Sequence, residues 1–194
     1  MKKQITKSDL LSLEDFAKIR AEKRTEIVAL KKYRRVALGP DVTLYFENHD
    51  TLWWQIQEML YIEKGGEDQI QDELAAYNPM VPQGNELVST VMIEIDDPIR
   101  RASTLASLGN FENHLLMRFG SHSAQGVPED DMERTTEEGK TSSVHFIHWP
   151  FTPKMILAFK APECDIIIEC THPLYHHKVI LTDSVRLALM KDFV

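Results

Sequence analysis

Only two of the 194 residues are cysteine, which excludes a disulfide-built fold. Cys164 and Cys170 fall in one run that reads as extended chain. At that spacing their Cα atoms stand roughly 20 Å apart, against a bridging limit of about 7 Å. A chain of this length buries roughly 70% of its unfolded surface on folding, so it needs no structural metal either. Apolar runs of about 18 residues are missing, and with them any expected membrane span. The opening Met1-Lys2-Lys3 leads into Gln4, Ile5 and Thr6 rather than an apolar leader core, so the cytoplasm is the expected compartment. Also missing are a P-loop, a dinucleotide-binding glycine fingerprint, a nucleophile elbow, an H-E-x-x-H helix and a C-x-x-C pair, which removes the commonest nucleotide, hydrolase and zinc-protease classes. One Glu-x-x-His pair occurs, Glu169 with His172, on a β-branched run instead of a helix, so a ferritin-like di-iron bundle is excluded. No repeat with a period of about 20–50 residues is present, and a solenoid or propeller is excluded with it.

What is present is unevenly charged. The net charge is −8, yet residues 1–35 hold eleven of the 22 basic residues against five acids, which leaves −14 on the remaining 159 residues. Such a split suits a basic arm for a polyanion, or a basic helix lying on its own acidic body. The segment has only Phe16 and Tyr33 as aromatics, too few for the base stacking that single-strand binders use. The second arrangement is expected, and nucleic-acid binding is not. We expect one domain over 1–194, with a basic N-terminal helix in 1–35 and an acidic body over 36–194.

Ser12 is a helix cap, Glu14 and Asp15 follow it, and Lys31 to Arg35 crowd the far end, which predicts a helix over 13–34. Two β-rich runs around Gly39-Pro40-Asp41 predict a hairpin with Val42, Leu44 and Phe46 on one face. Helices are predicted from Asn48 or Asp50 to Glu63, from Glu67 to Tyr77, and from Pro98 to about Leu108 behind an Asp97 cap. Between them, Leu87, Ser89, Val91, Ile93 and Ile95 alternate as a strand. Further strands are expected over 114–119, near Ala124, over 132–136, 141–149 and 165–170, with helices over 152–160 and 183–191. Irregular alternation with hairpins makes the class α+β: a mostly antiparallel sheet with about five helices packed on it and a long basic N-terminal helix.

Histidine is the residue type with chemistry to offer. Five of the eight fall in two clusters, His145 with His148 and His172 with His176 and His177. Neutral imidazole is the commonest metal ligand and a ready base near neutral pH, so His145, His148, His172 and His177 are the candidate ligands for iron or zinc. Strand alternation places His145 and His148 on opposite faces, so one of the two is expected in any single site. His172 and His177 are expected to converge across a Pro173-Leu174-Tyr175 turn. Trp54 and Glu58 stand at i,i+4 on one helix and, with Glu47 and Tyr175, are the pocket candidates. Tryptophans at helical spacing are ordinarily core, and Glu133, Arg134 and Lys140 read as a solvated hairpin face.

A wider set of residues resembles a family. Phe46-Glu47-Asn48 with Asp50-Thr51, Ile62 to Gly66, Glu73 to Pro79, Glu94 to Pro98, Glu133 to Thr136 and Ser143 to Phe146 together resemble a bacterial domain-of-unknown-function family along nearly the whole chain. The resemblance implies genes placed beside rubrerythrin and an iron–sulfur oxidoreductase, and hence rubrerythrin-linked redox proteins as partners in peroxide or redox defence. It matches the family at His145, His148, Pro150, Phe151, His172, Pro173, Tyr175 and His177. His176 is an addition, and His49 stands where the family carries an aromatic. Two functions are therefore expected in competition: a metal- or cofactor-handling accessory of a redox module, or a non-catalytic interaction module whose histidines are structural.

Overall fold

The computed structural model describes residues 2–129 and 139–194. The strand expected over 132–136, the turn that begins after it, and Glu133 and Arg134 lie outside the described residues. Among those described, six α-helices run from α1 (Leu13–Lys32) through α2 (His49–Glu63), α3 (Gly66–Tyr77), α4 (Pro98–Ser107) and α5 (Pro153–Lys160) to α6 (Asp183–Leu189). The strands are β1 (Arg35–Leu38), β2 (Val42–Glu47), β3 (Glu86–Ile93), β4 (Leu115–Phe119), β5 (His122–Gln125), β6 (Val127–Pro128), β7 (Val144–Pro150), β8 (Ile166–His172) and β9 (Tyr175–Ile180). They form two antiparallel sheets, ordered β1-β2-β3-β7-β6 and β5-β4-β8-β9, so the fold is α+β.

Period-two alternation sorts the larger sheet into two faces. Val42, Leu44 and Phe46, Leu87, Val91 and Ile93, and Ile147 and Trp149 point into one core. The smaller sheet supplies Leu115, Met117, Phe119, Ile166, Ile168 and Cys170 to that same core, which Phe159 of α5 and Leu189 of α6 help to fill. Inside it the Trp149 indole N–H donates to Ser89 Oγ at 2.9 Å, so its one polar atom is satisfied where no water reaches.

The opposite face of the larger sheet carries Thr43, Tyr45 and Glu47 on β2, Val88, Thr90 and Met92 on β3, and Val144, Phe146 and His148 on β7. Register lines these up in rows, Tyr45 with Thr90 and Phe146, and Glu47 with Val88 and His148. This second face is roofed by α2, whose Leu52, Ile56 and Leu60 pack with Val88, Met80 and Ile5. Capping fixes where α2 begins: Asn48 Oδ1 accepts from Thr51 N–H at 3.0 Å, and Thr51 Oγ1 accepts from Asn48 N–H at 2.9 Å.

α1 is capped by Ser12 as expected and lies against α2, where Phe16 and Ile27 pack with Trp54. Several of its basic residues are committed within the fold. Arg20 makes a two-pronged pair with Glu58, and Lys18 and Lys23 pair with Asp15 and Glu26. Beyond its end, the buried Arg34 guanidinium donates to the carbonyls of Phe46 and Glu47 and pairs with buried Asp192, joining α1, β2 and the C-terminal segment. Burial holds the Asp192 carboxyl above its ordinary range, and the Arg34 charge opposes that rise.

The β1–β2 hairpin turns at Gly39, whose φ of +74° suits glycine. It is clamped from the other sheet, since the Tyr175 hydroxyl donates to the Leu38 carbonyl at 2.8 Å and accepts from Asp41 N–H at 3.0 Å. The two cysteines are free; Cys164 lies in the turn before β8, not on the strand, and burial pushes the Cys170 thiol up to about 11. The strand β9 has no counterpart in the sequence expectation, which saw a turn followed by histidines.

Candidate functional site

The polar residues of the second sheet face line an open-mouthed cavity of about 350 Å³, bordered by α2, by Tyr77 and Met80, and by the last turn of α1. Its walls are largely apolar, with Leu52, Met80, Met92 and Phe146 among them. On its floor Glu47, 8% exposed, accepts from Thr51 Oγ1 at 2.5 Å and from Thr90 Oγ1 at 2.9 Å. Both partners are neutral hydroxyls, and among the described residues no cation is ion-paired with Glu47. Local sequence explains the placement. Glu47 ends β2 on the face opposite Phe46, one residue before the Asn48 cap, and so meets the hydroxyl of the third residue of α2. The Tyr77 phenol, on the wall, is pushed up by burial first and the nearby Glu73 charge second, so it stays a neutral donor. Gln55 and Tyr45 add further polar atoms, the Tyr45 hydroxyl donating to Glu94 at 3.0 Å.

Of the pocket candidates read from sequence, Glu47 lines this cavity. Trp54 is core, 8% exposed with its ring 5.5 Å from that of Phe16. Glu58 is turned to Arg20, whose Nε and Nη2 donate at 2.7 and 2.9 Å. Tyr175 is the clamp on the first hairpin. Sequence reasoning passed over Lys31, Thr51, Gln55, Tyr77, Thr90 and Phe146; the signal for two of them was the hydroxyl four residues after Glu47 and the threonine breaking the apolar run of β3.

The histidines go to separate places. His145 is fully buried on the core face of β7, its Nε2 donating to the Ser142 carbonyl at 2.9 Å, with a Glu112 oxygen 3.7 Å from Nδ1 and the Phe111 ring at 5.6 Å. His148, on the opposite face, lies between two carboxylates, Nδ1 2.9 Å from Glu86 and Nε2 3.4 Å from Glu129. The hydrogen bond it donates to Glu129, then that to Glu86, raises its pKa to about 9 against the opposing effect of burial. His172 ends β8, where its Nδ1 accepts from Leu174 N–H at 3.2 Å and its ring meets His114 edge-on at 5.0 Å. Burial first and His114 second lower its pKa. His177 pairs in register with Cys170 and packs on Tyr175, with ring centres 4.5 Å apart. His172 and Tyr175 face each other across the β8–β9 hairpin, so His177 is carried up β9 and away from His172. Among the described residues no group of three or more His, Cys, Asp or Glu side chains is arranged to hold a metal ion. No described helix is long and apolar enough to cross a membrane.

No curated protein matches the chain. A solved structure does: a protein of unknown function from Burkholderia pseudomallei K96243 is 35% identical, with a TM-score of 0.90 over 98% of this chain and 100% of that one. The family model described as protein of unknown function (DUF3501) matches residues 4–193, and the chain belongs to that family.

Proposed function

We propose that this protein binds a small organic cation with an apolar body, seated on the Glu47 carboxylate between the larger sheet and α2. The observation that carries the reading is that carboxylate: buried, on the floor of a cavity, and held by two neutral hydroxyls. Ionised carboxylates are costly to bury without a counter-charge, and hydroxyls offset only part of that cost. An ammonium group supplies the rest through a charge-assisted hydrogen bond. The apolar wall with a few convergent polar groups is the make-up of ligand pockets, and Tyr45, Tyr77 and Gln55 are among the polar side chains that line it.

A metal-handling role for iron or zinc through His145, His148, His172 and His177 draws no support from their placement, since each has its own partners. In the rubrerythrin-linked redox setting that the resemblance implies, the reading is of an accessory protein that holds a small molecule.

Titration of 2-phenylethylamine into the protein near neutral pH, followed by nuclear magnetic resonance, tests it. Saturable shifts centred on Thr51, Thr90 and Phe146 are expected, with affinity reduced about tenfold or more in Glu47→Gln, since a bond to a charged group is worth about 1.5–3 kcal/mol. No saturable binding at millimolar amine, or equal binding by the variant, would overturn the reading.

A further inference from the structure

We propose that the ligand of this cavity is a zwitterion of the amino-acid class with an apolar side chain, its ammonium on Glu47 and its carboxylate on Lys31. The inference rests on the cation-binding reading above and adds the second pole. Lys31 lies in the last turn of α1 and lines the same cavity as Glu47. Of the described residues that line it, Glu47 is the one carboxylate and Lys31 the one cation. They do not satisfy each other: among the described residues no ion pair joins them, although two lysines nearer the start of the same helix, Lys18 and Lys23, pair with Asp15 and Glu26. A cavity lined by two opposite charges that do not pair with each other is complementary to a ligand that carries the same two charges in reverse. A simple amine leaves Lys31 without an anion, and a simple carboxylic acid sets its charge against Glu47.

The rest of the lining fits the body of such a ligand. Leu52, Met80, Met92 and Phe146 form an apolar wall, and the unbranched thioethers of the two methionines adapt to flat or branched side chains. Lys31 is carried on a helix fixed by the packing of Ile27 and Leu30 against α2, so the cationic pole is anchored at its base while its flexible stem sets its reach.

Three matched probes separate the poles: L-phenylalanine with both charges, 2-phenylethylamine with the ammonium alone, and 3-phenylpropanoate with the carboxylate alone. Calorimetric titration of each into the wild type and into Lys31→Met is the measurement. In the wild type, phenylalanine is expected to bind about tenfold tighter than phenylethylamine, with phenylpropanoate weakest. Lys31→Met, a change on a part-exposed helical position that keeps the apolar stem, is expected to abolish that advantage without weakening phenylethylamine binding, since it removes a charge of the amine's own sign from the cavity. Phenylalanine binding no tighter than phenylethylamine, or keeping its advantage in Lys31→Met, overturns the zwitterion assignment, and amine binding with its dependence on Glu47 then still stands. Failure of all three probes to bind removes the cation-binding reading and this inference with it.

Discussion

His148 is the group whose titration the fold perturbs most usefully, and the effect on stability can be worked through. Its imidazole sits between the Glu86 and Glu129 carboxylates, 22% exposed, with its pKa raised from 6.5 to about 9. A histidine whose folded pKa exceeds its unfolded value binds its proton more tightly when folded, so folding is favoured wherever that proton is present. The contribution is complete below pH about 6.5, shrinks as pH rises, and is gone above about 9. A rise from 6.5 to about 9, at about 1.4 kcal/mol per pH unit, gives roughly 3.5 kcal/mol, which solvent screening at the exposed edge trims to about 2–3 kcal/mol.

The assay is urea unfolding of the wild type and His148→Gln at closely spaced pH values from 5.5 to 10. Other titrating groups are common to both proteins, so the difference between the two curves isolates His148. It is expected to be about 2–3 kcal/mol in favour of the wild type below pH 6.5 and to fall towards zero by about pH 9.5. In thermal melts that corresponds to roughly 5–10 °C. A difference that stays constant across the range, or a His148 imidazole that titrates near pH 6.5 by nuclear magnetic resonance, would refute the argument that the two carboxylates clamp a protonated ring.

Two further outcomes follow from the buried contacts. Asp192→Asn leaves the Arg34 guanidinium buried, still bonded to the Phe46 and Glu47 carbonyls but without its counter-charge; a loss of about 3–5 kcal/mol in denaturant unfolding is expected, and a loss below about 1 kcal/mol would contradict it. Gly39→Ala places a Cβ 2.6 Å from the His177 ring and 2.8 Å from the Tyr175 hydroxyl at a φ of +74°, so it is expected to cost about 2–4 kcal/mol. Adding His177→Ala should recover part of that loss and leave the backbone strain of about 1–2 kcal/mol together with the contact to the Tyr175 hydroxyl; strictly additive losses would show that the ring is not what the new methyl group meets.

Much of the architecture was legible because local signals agreed with one another. Ser12, Asn48, Asp97 and Thr152 cap helices where capping chemistry places them, and Gly39-Pro40-Asp41 turns the first hairpin. The split into two sheets was not legible, because pairing partners such as β4 with β8 lie far apart in sequence and no local pattern names them. β9 was missed for a different reason. Its exposed His176, Lys178 and Ile180 make a mixed edge strand, and the adjacent Pro173-Leu174 turn drew attention to the histidines as ligands rather than to the Val179 and Tyr175 alternation beneath them.

The same geometry explains why residues clustered in the chain failed to cluster in space while scattered ones met. On a strand, neighbours in sequence diverge: His145 enters the core, and His148, three residues on, meets Glu86 on the other face. Across a hairpin, residues near the turn face each other and those beyond are carried apart, which takes His177 to the Gly39 turn and leaves His172 beside His114. The Glu47 cavity is assembled in the reverse manner, from α1, β2, α2, the end of α3, β3 and β7, each giving one or a few side chains. The clearest local signature in that set is the carboxylate that ends a strand one residue before a helix cap, with a hydroxyl a turn later; Thr90, which breaks the apolar run of β3, is a weaker one. In a fold of antiparallel strands roofed by helices, a buried carboxylate at a strand-to-helix corner therefore deserves more weight as a site than histidines that merely sit close together in the chain.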